Sequence, residues 1–559
     1  SGVWLMSNAK KMLLSAAGNA GEPGLDITDV FSTYLYTGTS ATKTITNGVD
    51  LSGEGGLVWV KGRDQARENA LADTERGTGV WMSSNLTNGN LSNAQMINQF
   101  NSDGFRVGTE NDVNSSGEAY ASWTFRKAPK FFDCVTYTGN STENRKISHN
   151  LGCEVGMIFV KRTSSAQKWV VYHRGNTAAP ETDVLHLNLT DATSDLGSAW
   201  YDTAPTSTEF TLGDQIGVNK NGETYVAYLF AHNDGDGEFG PDGDADIIKC
   251  GSYTGNGSNT GPVIDLGFEP QWLMFKRTND VEDWIIFDNM RGMSVGGIDP
   301  DIRPNLSQAE GAALNYLEPT ATGFKITNAN TRTNGNGDTY IYMAIRRGPL
   351  APPEAATEVF DAIIQSGTNT QTITTGNTVD LAILRSSRTS VNQIYALDRM
   401  RGGNYLETTT PNAENSGLSD YYDWDSNTGV PIVDSLSSNQ TIWWMWKRAP
   451  GYFDVVAYGG TGSNRTQAHN LGVVPEMIWV KCRSSAGRDW EVYHSGLGAT
   501  KFLRLNTAEK EKTNSARWNN TTPTSSVFSL GSNDTVNGSG DTYIAYLFAT
   551  LDGVSKVGS

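Results

Sequence analysis

Hydrophobic and aromatic residues occur in short segments along this chain, and clusters of Gly, Asn, Asp, Ser and Thr separate these segments. Apolar segments of about four to eight residues between turn-forming residues are typical of β-strands. Residues 225–230, of sequence YVAYLF, are apolar at both alternating sets of positions. Because alternate residues of a strand point to opposite faces, this pattern predicts a strand that is buried on both sides. The pattern as a whole predicts an all-β fold.

Two further patterns recur five times and divide the chain. An apolar segment that ends in a basic residue occurs in five copies, and these basic residues are Lys61, Lys161, Lys276, Arg385 and Lys481. Shortly before each segment stands an aromatic-Thr-Gly turn or a variant of it, which begins at Tyr36, Tyr137, Tyr253, Gln365 and Tyr458. A repeat of about 100 residues is too long for a solenoid unit and long enough for a small domain.

We therefore predict a tandem array of about five β-sandwich modules of the jelly-roll or concanavalin-like kind, each with about eight to twelve strands. The modules, called 1 to 5 below, are expected at residues 26–129, 130–233, 246–349, 358–450 and 451–559. Residues 1–25 depart from the repeat. They predict a short helix over residues 9–17, which ends at Gly18, and we expect this segment to be an anchor.

The modules are of two types. Modules 2 and 5, called type B, share His-Asn-Leu-Gly at residues 149–152 and 469–472. Modules 1, 3 and 4, called type A, instead carry Asp-x-x-Arg-Gly, and module 4 is the most degenerate copy. The order is A-B-A-A-B, and the second A-B pair follows the first by about 320 residues. Only a residue or two links the modules within each A-B pair, which predicts a fixed geometry inside the pair.

The motif Asp-x-x-Arg-Gly follows an apolar segment in each type A module. A carboxylate and a guanidinium three residues apart across a turn can form a two-pronged ion pair, and the Gly permits a left-handed turn. We predict structural salt bridges at strand ends, which pair Asp73 with Arg76, Asp288 with Arg291, and Asp398 with Arg401. A ligand site is the alternative, but recurrence favours the structural role because catalytic residues seldom need three copies in one chain.

Histidines take the place of this aspartate in the type B modules. His173 and His494 are therefore expected to satisfy the same turn. A metal site is the alternative, formed by His149 with His173 or by His469 with His494. The spacing of these histidines is neither i, i+4 nor His-x-His, and no fixed carboxylate accompanies them, so the sequence favours the turn.

An acidic connector joins modules 2 and 3. It carries six carboxylates within thirteen residues, at Asp234, Asp236, Glu238, Asp242, Asp244 and Asp246. Oxygen ligands on a Gly-rich loop suit Ca²⁺, but the glutamate at the twelfth position of an EF-hand loop is missing. We expect a solvated linker and no cofactor, with a calcium site as the alternative.

Charge and motif content exclude several function classes. The formal net charge is −18, and phosphate backbones and anionic lipid surfaces repel such a chain. Because of this charge we expect no nucleic acid partner. No apolar run reaches the ~18 residues of a membrane span, so we expect no membrane insertion. The four cysteines are predicted to be buried free thiols of a protein made in a reducing cytoplasm, with a Cys134–Cys153 disulfide as the alternative.

Catalytic motifs are missing as well. The sequence has no nucleophile elbow, no phosphate-binding loop and no strand-linked GxGxxG, and no carboxylate pair can be selected for glycoside hydrolysis. Most of the 15 tryptophans fit the strand pattern and are expected in cores, although exposed ones could stack on sugar rings. We expect a protein that builds and binds, and no enzyme.

Four stretches resemble structural proteins of marine tailed phages, especially cyanophages. They are residues 9–13 (AKKML), 31–38 (FSTYLYTG), 51–61 (LSGEGGLVWVK) and 247–255 (IIKCGSYTG). The resemblance extends over nearly the whole chain. It implies repeated concanavalin-like modules, a location in the virion, other virion proteins as partners and a homo-oligomer, with a trimer favoured. It supplies no catalytic residues.

From the resemblance we predict a virion component, a tail fibre or similar appendage, that contributes to attachment to a host-surface glycan or protein. Weak sites repeated over an oligomer would add through avidity. A head or tail decoration protein without a ligand and a glycan-degrading tailspike are the alternatives. Specificity is expected in the loops that differ between copies, at residues 85–99, 175–183, 292–304 and 402–420.

Overall fold

The computed structural model describes residues 24–365, 371–386, 394–416, 424–432 and 441–559. The chain is all-β, as predicted, and each module has a main antiparallel sheet of its own. The chain forms two compact units. Of the described residues, unit 1 comprises 24–288, 300–316 and 325–350, and unit 2 comprises 289–299, 317–324 and those from 351 to 559. The predicted helix over residues 9–17 lies outside the described residues.

Module 1 packs a six-stranded sheet on a three-stranded one. Its elements are α1 (Ile27–Val30), β1 (Phe31–Thr37), β2 (Lys43–Thr46), β3 (Gly56–Gly62), β4 (Ala70–Asp73), β5 (Val80–Ser83), β6 (Leu91–Ser92), β7 (Ile97–Asn101), β8 (Gly104–Val107), α2 (Asn111–Asn114) and β9 (Ala119–Arg126). The strand orders are β1-β9-β3-β4-β5-β6 and β2-β8-β7. Val58, Val60, Phe105 and Val107 are buried in the core between the two sheets.

Module 2 repeats this plan with a four-stranded main sheet. Its elements are β10 (Phe132–Thr138), β11 (Arg145–Ser148), β12 (Val155–Arg162), β13 (Val170–His173), a 3-10 turn (Pro180–Thr182), β14 (Asp183–Val184), β15 (Ser194–Asp195), β16 (Glu209–Leu212), α3 (Ile216–Asn219) and β17 (Thr224–Ala231). The main sheet has the order β10-β17-β12-β13, and β11 pairs with β16 and β14 with β15.

Module 3 has its main sheet in unit 1. Its elements are β18 (Ile248–Thr254), β19 (Val263–Asp265), β20 (Pro270–Arg277), β21 (Ile285–Asp288), β22 (Leu317–Thr320), β23 (Gly323–Ile326), α4 (Thr331–Asn334) and β24 (Thr339–Arg346). The main sheet has the order β18-β24-β20-β21, which matches that of module 2.

Modules 4 and 5 belong to unit 2. Module 4 contains a 3-10 turn (Ala356–Glu358), β25 (Phe360–Gln365), β26 (Gln371–Thr374), β27 (Leu381–Ser386), β28 (Ile394–Asp398), a 3-10 turn (Arg399–Arg401), β29 (Tyr405–Glu407), β30 (Gly429–Ile432) and β31 (Thr441–Trp446). Module 5 contains β32 (Phe453–Gly459), β33 (Arg465–Ala468), β34 (Met477–Cys482), β35 (Glu491–His494), β36 (Lys501–Arg504), β37 (Lys512–Thr513), α5 (Ser515–Trp518), β38 (Val527–Leu530), α6 (Asp534–Asn537) and β39 (Thr542–Phe548). Their main sheets have the orders β25-β31-β27-β28-β29 and β32-β39-β34-β35-β36-β37.

In modules 1, 2, 3 and 5 the aromatic-Thr-Gly turn or its variant joins the two layers of the sandwich. Tyr137 stacks on Tyr225 with ring centroids 5.2 Å apart, and its hydroxyl donates to the carbonyl of Val218 at 2.8 Å. The same stack and hydrogen bond occur at Tyr36, Tyr253 and Tyr458. A Cβ on Gly139 would lie 2.1 Å from the carbonyl oxygen of Lys220, so the turn admits only glycine at this position. The recurrence of the motif therefore has a packing cause.

The Asn-Gly pairs within residues 220–223 and 334–337 predict hairpin turns between strands. This prediction is wrong, because these residues instead join a one-turn helix to the central strand, α3 to β17 and α4 to β24. Gly222 and Gly337 do have the positive φ of 78° that Asn-Gly pairs favour. The helix forms because its last residue, Asn219, is fully buried and donates through Nδ2 to the carbonyls of Gly213 and Thr142. Modules 1, 2 and 5 have nine, eight and eight described strands, within the expected eight to twelve, and module 3 has seven.

The prediction that strand 225–230 is buried on both faces is confirmed. Tyr225 lies in the sandwich core of module 2, where it stacks on Tyr137. Tyr228 points from the other face to module 1, where its hydroxyl donates to the carboxylate of Asp73 at 2.7 Å. Within the described residues, no helix has the length and hydropathy needed to cross a membrane.

Candidate functional site

In modules 1, 2, 3 and 5 the lysine that ends the apolar segment lies between two modules, whereas Arg385 of module 4 is exposed. Lys161 in module 2 is fully buried, and its ammonium donates to the carbonyl of Thr87 in module 1 at 2.7 Å and to that of Gln167 in its own module. The equivalent contacts in unit 1 are Lys276 to the Thr190 carbonyl at 3.1 Å and Lys61 to the Ser307 carbonyl at 3.0 Å. In each case a loop of one module supplies carbonyl oxygens to a buried lysine of the next.

Backbone hydrogen bonds flank each lysine contact. At the junction of modules 1 and 2, the amide of Asn90 donates to the carbonyl of Thr163 at 2.7 Å, and that of Gln167 donates to Thr87 at 2.8 Å. The same two bonds recur as Thr193 to Thr278, Glu282 to Thr190, Glu310 to Arg63 and Arg67 to Ser307, at 2.7–2.9 Å. The three junctions are therefore built alike, in one register.

These junctions close modules 1, 2 and 3 into a ring. Module 1 supplies its loop to module 2, module 2 to module 3, and module 3 to module 1, so unit 1 has an approximate threefold arrangement within one chain. Aromatic residues fill its centre: the ring of Phe125 lies 5.4 Å from that of Phe230 and 6.1 Å from that of Trp272. Ser84 Oγ of module 1 also donates to the carbonyl of Pro304 of module 3 at 2.6 Å. Each module thus contacts both others.

Indole groups strengthen two of the junctions. Trp169 Nε1 of module 2 donates to the carbonyl of Ser83 at 3.0 Å, and Trp284 Nε1 of module 3 donates to that of His186 at 2.9 Å. At the third junction Asn69 takes this position, and its Nδ2 donates to the carbonyl of Leu306 at 2.9 Å. Because these donors are buried, each junction satisfies polar groups that would be costly to bury alone.

Burial changes the acidity of the junction lysines. It lowers the pKa of Lys161 from its usual 10.5 to about 7, and the pKa values of Lys61 and Lys276 to about 8. Such shifts often mark nucleophilic lysines. Here the ammonium groups are enclosed by carbonyl oxygens of two modules and are shielded from solvent, so the arrangement favours binding between modules over chemistry on a substrate.

The predicted Asp73–Arg76 salt bridge is present, and it lies in a junction. Arg76 Nε approaches Asp73 Oδ2 at 2.5 Å, and both side chains are almost fully buried. Tyr228 of module 2 completes the group, since its hydroxyl contacts both Asp73, at 2.7 Å, and Arg76, at 3.0 Å. The ion pair therefore has a partner in the next module that the motif alone did not indicate.

The Asp398–Arg401 pair occupies the equivalent position at the junction of modules 4 and 5. Arg401 Nε lies 2.5 Å from Asp398 Oδ2, and the hydroxyl of Tyr546 in module 5 donates to Asp398 at 2.6 Å. Asp288 is buried in unit 1, where it accepts a hydrogen bond from Trp123 Nε1 of module 1 at 3.1 Å. Arg291 is buried in unit 2. The pairing of Asp288 with Arg291 stays a prediction.

The histidine that replaces this aspartate satisfies the same turn, as predicted. His173 Nδ1 accepts from the amide of Gly175 at 3.0 Å, and Nε2 lies 3.0 Å from the carbonyl of Tyr342 in module 3. A hydroxyl is not present at the central-strand position of module 3, where Met343 stands. His149 and His469 each accept from the backbone amide two residues on, at 3.2 Å. Among the described residues, no group of three or more His, Cys, Asp or Glu side chains converges as metal ligands would.

Unit 2 contains one junction of the same kind, between modules 4 and 5. Lys481 is fully buried, and its ammonium donates to the carbonyls of Pro411 of module 4, at 3.4 Å, and Arg488, at 2.8 Å. Trp490 Nε1 donates to the carbonyl of Glu407 at 2.8 Å. Burial lowers the pKa of Lys481 to about 8, as at the junctions of unit 1.

The six acidic residues of the connector do not converge on one point. Lys130 Nζ lies 3.2 Å from Asp236 and 3.8 Å from Glu238, and Lys249 Nζ lies 3.6 Å from Asp234 and 3.8 Å from Asp246. Asp246 also accepts from the amides of Gly235 and Gly237. Asp242 and Asp244 line a cavity of about 400 Å³ with Asp246, Lys249 and Arg346. Lysines and amides thus hold most of these carboxylates, and calcium binding stays untested.

Two further expectations can be compared with the structure. All four cysteines are buried and free, so the alternative of a Cys134–Cys153 disulfide was wrong.

Of the four loops expected to carry specificity, residues 85–99, 292–304 and 402–420 contain the junction carbonyls of Thr87, Pro304 and Pro411. Residues 417–420 lie outside the described residues. Loop 175–183 lies at the surface, where Thr177 and Ala178 are exposed.

Sequence reasoning found the junction lysines but missed what they bind. A base recurs at the end of every apolar segment, although a strand that enters solvent would also end in a base. A signal that could have indicated the role is the absence of charged residues before the base. In modules 1, 2, 3 and 5 the strand is apolar on both faces up to the lysine, which favours burial of that lysine against another module.

A search of curated protein sequences gives no significant match. A family model described as a domain of unknown function, DUF7483, matches residues 26–349 and 355–559. The first match spans modules 1 to 3, and the second spans modules 4 and 5. The chain therefore belongs to the DUF7483 family.

Proposed function

We propose that this chain is a non-enzymatic structural protein of a tailed-phage particle, and that it forms a tail fibre or similar appendage that contributes to host attachment. The resemblance to marine tailed-phage structural proteins suggests the setting. The observation that carries the proposal is the closed ring of modules 1 to 3, because a rigid ring holds its surface loops in fixed positions, as an attachment scaffold requires.

The use of the buried polar groups supports a building role. Lys61, Lys161 and Lys276 are fully buried and bind backbone carbonyls of a neighbouring module. The ion pair of Asp73 and Arg76 likewise accepts a hydrogen bond from the hydroxyl of Tyr228 in the next module. Groups of this kind would be the first candidates for catalysis, and here they join modules.

Loop 175–183 supports an attachment role in addition to a structural one. Its exposed residues Thr177 and Ala178 lie on the surface of module 2, and the loop differs in sequence between the two type B modules. A purely structural decoration protein would need no such loop. Other virion proteins and a homo-oligomer, with a trimer favoured, remain part of the proposal.

Imaging of particles tests the location. Phage particles purified from lysed host cells would be labelled with antibodies against the purified chain and viewed by electron microscopy. We expect label on the tail or its appendages. Label on the head would indicate the decoration alternative, and particles without the chain would contradict a virion role.

Binding to host cells tests the attachment. Purified chain should sediment with host cells, and Ala178→Arg should reduce the bound fraction several-fold, whereas Val281→Arg, at another exposed position of unit 1, should not. Equal binding by both variants would exclude loop 175–183. Release of reducing sugar from host envelope polysaccharide would establish a tailspike enzyme and contradict the proposal.

A further inference from the structure

Unit 2 contains the counterparts of two of the three modules that form the ring in unit 1. Its modules 4 and 5 correspond in order and type to modules 1 and 2, and their junction has the same lysine and indole contacts. Unit 2 also holds residues 289–299 and 317–324, which contact module 4 at Met400 and module 5 at Arg483 and Asn470. No third sandwich belongs to the described part of unit 2.

The outer face of the module 4 main sheet is where the third module would sit. In module 1 this face is covered by module 3, and Leu35 and Trp123 on it are 9% and 0% exposed. The equivalent residues of module 4, from strand register, are Ile364 and Trp444. Ile364 is 64% exposed and Trp444 is only half-buried. A face that is buried in one copy is thus open in the other.

The opposite edge, on module 5, is open in the same way. Leu187 of module 2, in its junction loop, is 0% exposed, whereas Leu505 at the equivalent position of module 5 is 38% exposed. His494 is half-buried, and its counterpart His173 is fully buried against module 3.

The backbone of this module 5 loop offers the same two groups that other junction loops use. In module 2, Thr190 supplies the carbonyl and Thr193 the amide, two and five residues after the loop asparagine Asn188. In module 5, Ala508 and Glu511 stand two and five residues after the equivalent Asn506. Within the described residues, neither the carbonyl of Ala508 nor the amide of Glu511 makes a backbone hydrogen bond.

The centre of the incomplete ring shows the same difference. Phe31, Phe125, Phe159 and Phe230 of modules 1 and 2 are at most 2% exposed. Their counterparts Phe360, Trp446, Trp479 and Phe548 are only partly buried. Large aromatic side chains are placed where only a third module would cover them.

We propose that the outer sheet face of module 4 and the 505–511 loop edge of module 5 form one docking surface for a type A β-sandwich module other than modules 1, 3 and 4. A type A module is the occupant that fits, because modules 4 and 5 repeat the order A-B with which the A-B-A ring of unit 1 begins. The partner closes a second three-module ring through the junctions that unit 1 already contains.

The junctions of unit 1 specify the chemistry of this partner. It presents an acceptor, a strand-end carboxylate, to the indole N–H of Trp444, as Asp288 does for Trp123. It also carries a buried lysine for the carbonyl of Ala508, as Lys276 does for Thr190. An aromatic or aliphatic central strand covers Ile364.

A fusion of the full chain to a third type A module tests the proposal. Residues 233–350, which contain module 3 and its natural connector, would be copied after Ser559. Ile364→Cys and Leu505→Cys variants would be treated with a maleimide, since the four native cysteines are buried. We expect both sites to react at least about ten-fold more slowly in the fusion, because an interface excludes the reagent. The exposed control Val281→Cys in the original module 3 should react equally in both proteins.

Two results would overturn the proposal. One is an unchanged rate at both sites in a fusion whose added module is folded by circular dichroism and resistant to protease. The other is concentration-dependent dimerisation of the unfused chain that Ile364→Asp abolishes, because the occupant would then be a second copy of this chain.

A measurement on the unfused chain keeps the test independent of the fusion. Ile364→Asp should leave the thermal unfolding midpoint nearly unchanged, whereas the equivalent Leu35→Asp in the closed ring should lower it by several degrees. If both substitutions lowered the midpoint equally, the module 4 face would already be covered, and no docking surface would exist there.

Discussion

At the scale of single residues, the buried carboxylate of Asp73 connects two modules through one side chain. Asp73→Ala would leave the guanidinium of Arg76 and the hydroxyl of Tyr228 without their acceptor inside the junction. Loss of one partner of a buried ion pair typically costs about 3–5 kcal/mol. We expect a decrease of this size in the free energy of unfolding of unit 1, measured by urea denaturation.

Glu75→Ala is the matched control for this substitution. Glu75 also pairs with a base, Lys127, but at a partly exposed position. Exposed ion pairs contribute about 1 kcal/mol or less. Equal losses for the two variants would show that the Asp73 pair is not part of a buried junction.

The junction lysines predict an unusual pH dependence. Burial lowers the pKa of Lys161 from 10.5 to about 7, so between these pH values the unfolded chain holds a proton that the folded chain has lost. The contribution of Lys161 to stability therefore rises with pH in this window. Between pH 7 and pH 9 the free energy of unfolding of the wild type should rise by about 2 kcal/mol relative to Lys161→Met.

Urea denaturation at several pH values measures this difference, and the subtraction removes the titration of tyrosines common to both proteins. Lys168→Met changes an exposed lysine of the same module and is the control for loss of one positive charge. A flat difference for Lys161→Met would mean that this ammonium is solvated in the folded protein.

At the scale of elements, the aromatic-Gly turn of module 5 offers two adjacent glycines with different surroundings. A Cβ on Gly460 would lie 2.0 Å from the carbonyl oxygen of Gly538, whereas a Cβ on Gly459 would have nothing within 4 Å. We expect Gly460→Ala to lower the free energy of unfolding by about 2 kcal/mol or more, because backbone must move.

Gly459→Ala should change this free energy by less than about 0.5 kcal/mol. Both values would come from thermal denaturation followed by circular dichroism. If the two variants were equally stable, the close approach between the turn and the helix end would not be as tight as the structure shows.

Most of the strand framework could be predicted at this scale, and the helices could not. Strand 225–230 was recognised because its pattern reflects burial on both faces. The one-turn helices were missed because four residues such as 216–219 have no periodicity of their own. They form because the buried side chain of Asn219 bonds to two distant carbonyls, which no local pattern reveals.

At the scale of the whole molecule, a main sheet in each module was predictable, and the ring was not. Short links within each A-B pair predicted a fixed geometry there, and junction contacts are present in both pairs. The acidic connector between modules 2 and 3 was expected to be a solvated linker. Yet Lys276 and Trp284 bind module 2 as Lys161 and Trp169 bind module 1. Contacts between distant segments determine the geometry, and linker length does not.

The ring predicts that damage at a junction spreads across modules. Trp169→Ala removes an indole of module 2 that donates to Ser83 of module 1. We expect faster amide hydrogen exchange in β4 and β5 of module 1 as well as in module 2, because the junction stabilises both.

Trp200→Ala provides the comparison within the same module. Trp200 is equally buried, but its indole donates to Asp183 in module 2. Large-to-small substitutions of this kind cost about 3–5 kcal/mol, and here the exchange should increase in module 2 alone. Spread of the Trp200→Ala effect to β4 and β5 to the same degree would argue against a specific role for the junction.

The covalent continuity of the ring has a consequence for mass action. Modules 1, 2 and 3 meet at the effective concentration set by one backbone, so dilution does not open their junctions. The docking surface of modules 4 and 5 behaves differently when a separate polypeptide supplies its module, because its occupancy then depends on the amount of that polypeptide. In that case the copy number of the partner, and not the folding of this chain, sets how many second rings are complete.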